Sequence, residues 1–375
     1  MKVEFFRHSV TDEDIANVAD AMRGLFLTTG EWVSRFEADL ARFAGRGRAV
    51  GVTSCTAGLH LALAAMGVGA GDEVITTPMS FVATANAIVL AGARPIFADV
   101  EPSTGNMDAA AIERCITSKT RAILPVHLYG VMCDMEQIAG IARRHGLVVL
   151  EDAAHALEAR RDGMAPGELS EAAVFSFYAT KSITSGEGGA VVTDDGSLAG
   201  RLRMLRLHGM HRGAAERHGD AYEHYDVSEV GFKYNMSNIQ AAMLSGQLGR
   251  VEKMRMRREE ISARYRERLG DIEGIAWPVV PQACVSAHHL FTVWVAPGRR
   301  DGLLGRLQQR GVGVAVNYRP IHLFDWYRRN LGGREGQYPH AERIGASTIS
   351  LPLYPGLTDD EVDFVAASLA KSLKD

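Results

Sequence analysis

The sequence predicts an α/β fold: a mostly parallel seven-stranded sheet with helices between its strands, then a smaller C-terminal α/β unit. Three observations carry this. Between about residues 48 and 195, short apolar runs alternate with helix-like stretches, the pattern of βαβ units. Gly67, Gly92 and Gly146 follow three of those stretches, where a helix C-terminal glycine is expected. After residue 195 the character changes: a polar stretch comes first, then a long charged helix and shorter alternating elements.

In chain order, the candidate strands are 48–53, 73–77, 94–99, 121–126, 147–151, 173–177 and 190–193, with helical patterns at 57–66, 82–90 and 135–145. The stretch 208–225 is rich in Gly, His and Ala and reads as a mobile loop. Its histidines, His208, His211, His218 and His224, make metal binding an alternative to a plain loop. RVEKMRMRREEISARYRERL, 250–269, reads as a helix with Val251, Met254, Met256, Ile261, Tyr265 and Leu269 as its apolar stripe. Its arginines interleave with Glu252, Glu259, Glu260 and Glu267, which marks a solvated face rather than a nucleic-acid surface. Beyond it, 290–295 and 312–316 are strand candidates and 301–310 and 359–371 helix candidates. The expected division is a large domain, 1–249, and a small one, 250–375.

The bulk numbers bound the function. A chain of 375 residues, 46% hydrophobic and 23% charged, has ample material for a core. A net charge of −4 argues against a general nucleic-acid binder. Cys55, Cys115, Cys133 and Cys284 are scattered with no CxxC pair, so neither a disulfide framework nor a zinc site is indicated. MKVEFFRHSV has no apolar core or cleavage site, and no apolar stretch is long enough to span a bilayer. The expectation is a soluble cytoplasmic protein with no metal.

Five stretches carry chemistry. In VGVTSCTAGLHLALAAMG a strand leads through Ser54, Cys55 and Thr56 into a helix start, a seat for a phosphate or simply a capped helix. A reactive Cys55 thiol is a further alternative. In ITTPMSFVATAN, Phe81 lies just past a strand end, where it covers a planar ligand or fills the core. LVVLEDAAHALEA puts Asp152 at the carboxyl end of a strand, the ligand side of α/β sheets, with His155 three residues on. Helix capping or a metal pair are the other readings. VFSFYATKSITSGEGGAVVTD sets Lys181 between two apolar runs, among small residues. A lysine in a partly desolvated pocket has a lowered pKa and forms Schiff bases, although most lysines are surface residues. In GFKYNMSNIQAAMLSGQL, Lys233 and Asn235 precede a helix start near Ser237 and can reach a phosphate. Phosphate seat, ring cover, acid and lysine together are the equipment of a pyridoxal 5'-phosphate enzyme.

Over nearly its whole length the chain resembles the DegT/DnrJ/EryC1/StrS nucleotide-sugar aminotransferases. The motifs that carry this are LTTGEWVSRFEADLARFAG, SCTAGLHLAL, ITTPMSFVATANAI, EDAAHALEA, FSFYATKSITSGEGGAVVTD and QAAMLSGQL. Within the family, VNYRPIHLFDWYRRNL and RLHGM resemble enzymes of the pseudaminic acid pathway type, which aminate C4 of a UDP-linked 4-keto-6-deoxy sugar. GFKYN resembles instead the enzyme that makes 4-amino-4-deoxy-arabinose for lipid A. The resemblance implies an aspartate-aminotransferase-like fold of type I and a homodimer with shared active sites. The donor would be L-glutamate and the acceptor a nucleotide-linked keto sugar. It implies Lys181 as the Schiff-base lysine, Asp152 on the pyridine nitrogen and Phe81 on the ring. Ser54, Cys55, Thr56 and Ser176 would surround the phosphate, with His155 on the ring-hydroxyl side. The substrate would meet Leu27, Thr28, Thr29 and Gly30, and Asn317, Tyr318, Arg319 and Pro320. Two departures stand out. The family's Asn-x-Arg, whose Asn reaches the partner subunit's phosphate, is Lys233-Tyr234-Asn235 here, and Tyr178 stands where histidine is common. The alternatives are a C3 keto-sugar or cyclitol aminotransferase, a sugar 3-dehydratase, and a non-catalytic regulator that binds the same cofactor. The dehydratase relatives carry histidine at the lysine position.

Overall fold

The structure, a computed structural model, describes residues 1–210 and 224–374. Seven strands form the main sheet: β1 (Arg48–Val52), β2 (Glu73–Thr76), β3 (Arg94–Phe97), β4 (Thr120–Leu124), β5 (Val148–Asp152), β7 (Ala172–Ser176) and β8 (Gly189–Thr193), in the order β1-β8-β7-β5-β4-β2-β3. A short β6 (Arg160–Arg161) lies outside it. The pairs β2–β3, β2–β4, β4–β5 and β5–β7 are parallel, while β8 runs antiparallel to both β7 and β1. Parallel neighbours need a crossover connection of a dozen residues or more, usually a helix. Residues 177–188 form no helix and fold back as a hairpin, so β8 reverses. Lys181 sits on that link.

Successive strand residues face opposite sides. Phe175 joins Phe36, Leu40, Ile123 and Ile138 in one apolar core, and Val174 joins Leu59, Leu63, Leu150 and Leu202 in the other. Seven helices accompany these strands: α1 (Asp12–Arg23), α2 (Glu31–Ala44), α3 (Cys55–Ala65), α4 (Ala83–Leu90), α5 (Ala109–Cys115), α6 (Met135–His145) and α7 (Gly196–Leu205). α3 is apolar nearly all round because sheet and helices cover it on every side; its buried residues run from Cys55 to Ala65. A Cβ on Gly58 would lie 2.6 Å from Val174 Cγ1, so only glycine lets α3 sit this close to β7. Gly67, Gly92 and Gly146 all take positive φ just past their helices.

A third apolar core gathers Ile261, Tyr265 and Leu269 with Phe291, Val293, Ile349, Leu351, Val365 and Leu369. It surrounds the antiparallel pair of β10 (Phe291–Trp294) and β11 (Thr348–Leu351), and β9 (Cys284–Val285) pairs with β6. The helices Val251–Leu269, Arg300–Gln309 and Asp359–Lys374 pack there. Val3 belongs to this core too: it bridges Val312, and its N–H and C=O bond Gly311 O and Gly313 N at 2.8 Å each.

Two expectations need correcting. Residues 312–316 are not a strand. Val312 bridges Val3 while Ala315 bridges Ser350, so the segment divides its hydrogen bonds between two partners and completes a ladder with neither. The charged helix is also not solvated all along its polar face. Arg255 and Arg258 are buried and Met256 is 53% exposed, because Arg258 pairs with a buried carboxylate. Most of 208–225, including His211 and His218, lies outside the described residues. Among the described residues no helix is long and apolar enough to cross a membrane, and no group of three or more His, Cys, Asp or Glu can hold a metal ion.

Candidate active site

The hairpin link explains the position of Lys181. Phe177 N donates to Gly188 O at 2.9 Å and Ser185 N to Phe177 O at 3.1 Å, closing the link's base, and Lys181 N donates to Tyr178 O at 2.9 Å. Phe177 is fully buried under this turn. The lysine side chain is thereby directed over the carboxyl ends of β5 and β7. Its Nζ lies 3.4 Å from His289 Nε2. Burial lowers its pKa to about 8, against the opposing pull of Cys55 and Asp152.

Asp152 is the last residue of β5 and 5% exposed. Its Oδ2 accepts from Thr84 Oγ1 at 2.7 Å, and its Oδ1 accepts from Ala154 N at 3.1 Å and faces Cys55 Sγ at 3.9 Å. Burial raises its pKa, while the Thr84 hydroxyl, the Ala154 N–H and the charges of Lys181 and His127 hold it down. No helix follows, so Asp152 caps none. Next to it, Glu151 turns to the other side of the sheet and bonds His127 at 2.6 Å. Burial and Asp152 push the Cys55 thiol well above its ordinary pKa, which removes the reactive-thiol reading.

His155 is 7% exposed, and its Nε2 lies 3.1 Å from Tyr318 Oη. Its ring stacks on Tyr318 at 6.0 Å and 19° and lies 4.2 Å from the ring of His289. Burial and the Lys181 charge hold its pKa well down, so it is neutral. Its Nδ1 is buried without a hydrogen-bond partner. Phe81 is 59% exposed and 6.0 Å from Tyr318; it is not a core residue, which favours the ligand-cover reading.

α3 begins beside these groups. Ser54 Oγ accepts from Ala57 N at 3.1 Å, the bond of an ordinary N-cap. The first N–H groups of a helix have no intrahelical acceptor, and here they belong to Cys55 and Thr56. A Cβ on Gly189 would stand 2.5 Å from Ser54 C and 2.6 Å from Cys55 N. Glycine there is what lets β8 start against the helix end. Ser176, paired with Gly189 across the sheet, flanks the same corner.

The remaining candidates separate into two groups. Asn235 bridges Val52 on the free edge of β1 and donates to Thr28 Oγ1 at 3.2 Å and Thr29 Oγ1 at 2.8 Å. Its Oδ1 is buried and unpartnered. Asn238 fastens the same strand of chain, bonding Phe26 O at 2.7 Å, and fills the space beside Gly30. Lys233 is exposed and bridges Leu207, Leu27 is exposed, and Ser237 caps the helix Asn238–Leu248 with a capping box. Asn317 O accepts from Tyr129 Oη at 2.5 Å, and Tyr318 lines the Lys181 cavity with Phe5, Phe6, His289 and Leu290. Arg319 turns away to Leu323 O at 3.0 Å and stacks on Phe324, and Pro320 packs against Gly345.

Sequence reasoning missed His289, Thr84 and Tyr129. The pair His288-His289 before β10 was the available signal, but two histidines ahead of an apolar strand read as core. Thr84 follows Phe81 by three residues, which α4 turns into proximity.

The residues fit pyridoxal phosphate. A part-buried amine of lowered pKa faces a buried carboxylate and the thiol at a helix start narrowed by glycine, and an imidazole with an unpartnered nitrogen and an exposed aromatic both meet Tyr318 beside it. Fold and site define the class: a PLP-dependent enzyme of the aspartate-aminotransferase-like type I fold. The chain belongs to the DegT/DnrJ/EryC1/StrS aminotransferase family, whose model matches residues 8–370. It is 40% identical over 368 residues to the spore coat polysaccharide biosynthesis protein SpsC of Bacillus subtilis, covering 96% of this chain and 95% of that one. Its structure matches PseC of Helicobacter pylori, an aminotransferase involved in pseudaminic acid biosynthesis, at a TM-score of 0.92 and 29% identity over 100% of both chains. It also matches Spr1654 of Streptococcus pneumoniae in its PLP form, at a TM-score of 0.93 and 28% identity over 100% of this chain and 99% of that one.

Proposed function

We propose that this sugar aminotransferase moves the amino group of L-glutamate to the C4 keto carbon of a UDP-linked 4-keto-6-deoxy sugar. The observation that carries the reading is the cluster in which Lys181 meets His289, whose ring lies against His155, and feels the charge of the buried Asp152 at the end of β5. The likeness to PseC and the VNYRPIHLFDWYRRNL stretch support the C4 sugar.

Bound PLP supplies a reactive aldehyde carbon and a ring able to take up an electron pair. The protein's own groups do the rest. The Lys181 amine provides the covalent attachment point and, when free, takes a proton from the donor's Cα and later returns one at the sugar carbon. Asp152, held by Thr84, would keep a positive charge on the ring nitrogen. Phe81, exposed beside Tyr318, would cover the ring, and His155 would meet its hydroxyl. Ser54, Cys55, Thr56 and Ser176 receive the phosphate, with Asn235 or Lys233 serving the partner subunit of a homodimer. Leu27–Gly30 (27–30) and the Asn317–Tyr318 pair frame the sugar nucleotide, Pro320 supports that turn, and Arg319 reaches it only on leaving Leu323 and Phe324. The large part, 1–249, carries the cofactor, and the small part, 250–375, brings His289 and Tyr318 to Lys181.

The test combines two measurements. Borohydride reduction of the holoenzyme should fix the cofactor to the peptide bearing Lys181, and Lys181→Ala should abolish turnover. A product screen with glutamate and UDP- or dTDP-linked 4-keto and 3-keto sugars should give a C4 amine from the UDP 4-keto sugar. A C3 amine would replace the sugar assignment with the C3 alternative.

A further inference from the structure

His289 has no part in the chemistry assigned so far, yet it is the hydrogen-bond partner of the reacting amine. Its Nε2 is 3.4 Å from Lys181 Nζ, its ring lies 4.2 Å from His155, and it is 7% exposed. The segment that carries it is held from two sides. Ala287 N donates to Gly130 O at 2.9 Å, and Arg258 donates to Ala287 O at 3.1 Å. A Cβ on Gly130 would meet His155 O and His288 N at 3.1 Å each, so glycine lets the 287–289 turn press against the His155 turn. Arg258 also reaches Ser182 Oγ at 3.2 Å, next to the lysine. The same guanidinium thus fixes both sides of the Lys181–His289 contact.

We infer that His289 is a further catalytic residue: a neutral imidazole whose Nε2 accepts a hydrogen bond from the free Lys181 amine and holds it aimed at the reacting carbon. No covalent step is involved. The group must be neutral to accept, and its surroundings make it so. Burial and the neighbouring His155, Lys181 and Arg258 keep its pKa well down. The groups facing the lysine are His289 itself, His155, Asp152 and Cys55. Among them the two imidazoles and the buried thiol are uncharged, so the positive charge of the cluster rests on Lys181. An acceptor bonded to a charged form stabilises it, so His289 also sets how readily that amine gives up its proton.

The inference rests on the proposed role of Lys181, and the experiment separates the two. Apo-protein is treated with an amine-acylating reagent across a pH series, and labelling of the Lys181 peptide is followed by mass spectrometry. The parent midpoint should lie near the Lys181 pKa of about 8. His289→Leu, which removes the acceptor and keeps water out, should move the midpoint down by roughly one pH unit. His289→Met serves if the leucine variant does not fold, and should shift it likewise. His289→Gln keeps an acceptor oxygen and should stay within about half a unit of the parent. In the holoenzyme, His289→Leu should slow the donor half-reaction about tenfold or more while the bound cofactor's visible band is retained. An unshifted midpoint in both apolar variants overturns the inference, as does loss of the visible band. If borohydride instead fixes the cofactor to a residue other than Lys181, the lysine reading itself fails.

Discussion

An ordinary lysine at neutral pH is almost wholly protonated and offers no lone pair. Lys181, at about 8, offers a usable fraction. The neutral amine is the attacking form, so uptake of PLP by the apo-protein should accelerate about tenfold per pH unit below the pKa and level off above about 8. Stopped-flow measurement of the absorbance change checks this. Among the described residues, the single hydroxyl donor to Asp152 is Thr84. Thr84→Val should raise the carboxyl pKa further and cost about tenfold in kcat/KM, since a hydrogen bond to a charged group is worth about 1.5 kcal/mol or more. At this scale the sequence was readable wherever chemistry lay at a strand end: Asp152 and Lys181 could be picked out because carboxylates and lysines are out of place beside apolar runs. His289 could not, because an imidazole is at home in a core and only its 3.4 Å contact with a residue more than a hundred positions away singles it out.

Among the elements, the seven strands of the main sheet were the most legible, since glycine, proline or a charged residue stands at one end or the other of each, whereas β11 and the two-residue β6 and β9 carry too little pattern to be read. The direction of β8 was equally implicit in the short link before it. The failure at 312–316 has a different character: alternating valines promise a ladder, but hydrogen bonds to Val3 and Ser350 divide it. The corner between β8 and α3 is the element-level feature with the clearest consequence. Gly189→Ala would drive a methyl to within 2.5 Å of Ser54 C. Strand and helix end must then part, which should weaken PLP binding at least tenfold and destabilise the protein by about 1–3 kcal/mol. Cofactor titration and denaturant unfolding measure the two effects.

For the molecule as a whole, the buried ion pair that joins the two parts is Arg258–Glu158, 2.5 Å apart among several other hydrogen bonds between them, with side chains 4% and 0% exposed. Ser182 Oγ adds a bond of 3.0 Å to the same carboxylate. Removing one partner strands a buried charge. Arg258→Ala should therefore cost about 3–5 kcal/mol in urea unfolding, and pairing Arg258→Met with Glu158→Leu should recover much of it. Charge pattern alone could not find this pair, because its members lie 100 positions apart and each looks like any surface residue.

The seat of Val3 has a consequence in time. A ribosome releases the chain from its amino end, but the pocket for this valine is built from Val312, Gly311 and Gly313. Val3 and its neighbours must wait, unattached, until that distant segment has been made. Everything between the two can collapse first, and the closing of that seam is the moment at which the cavity beside Lys181 receives its Phe5 and Phe6 wall.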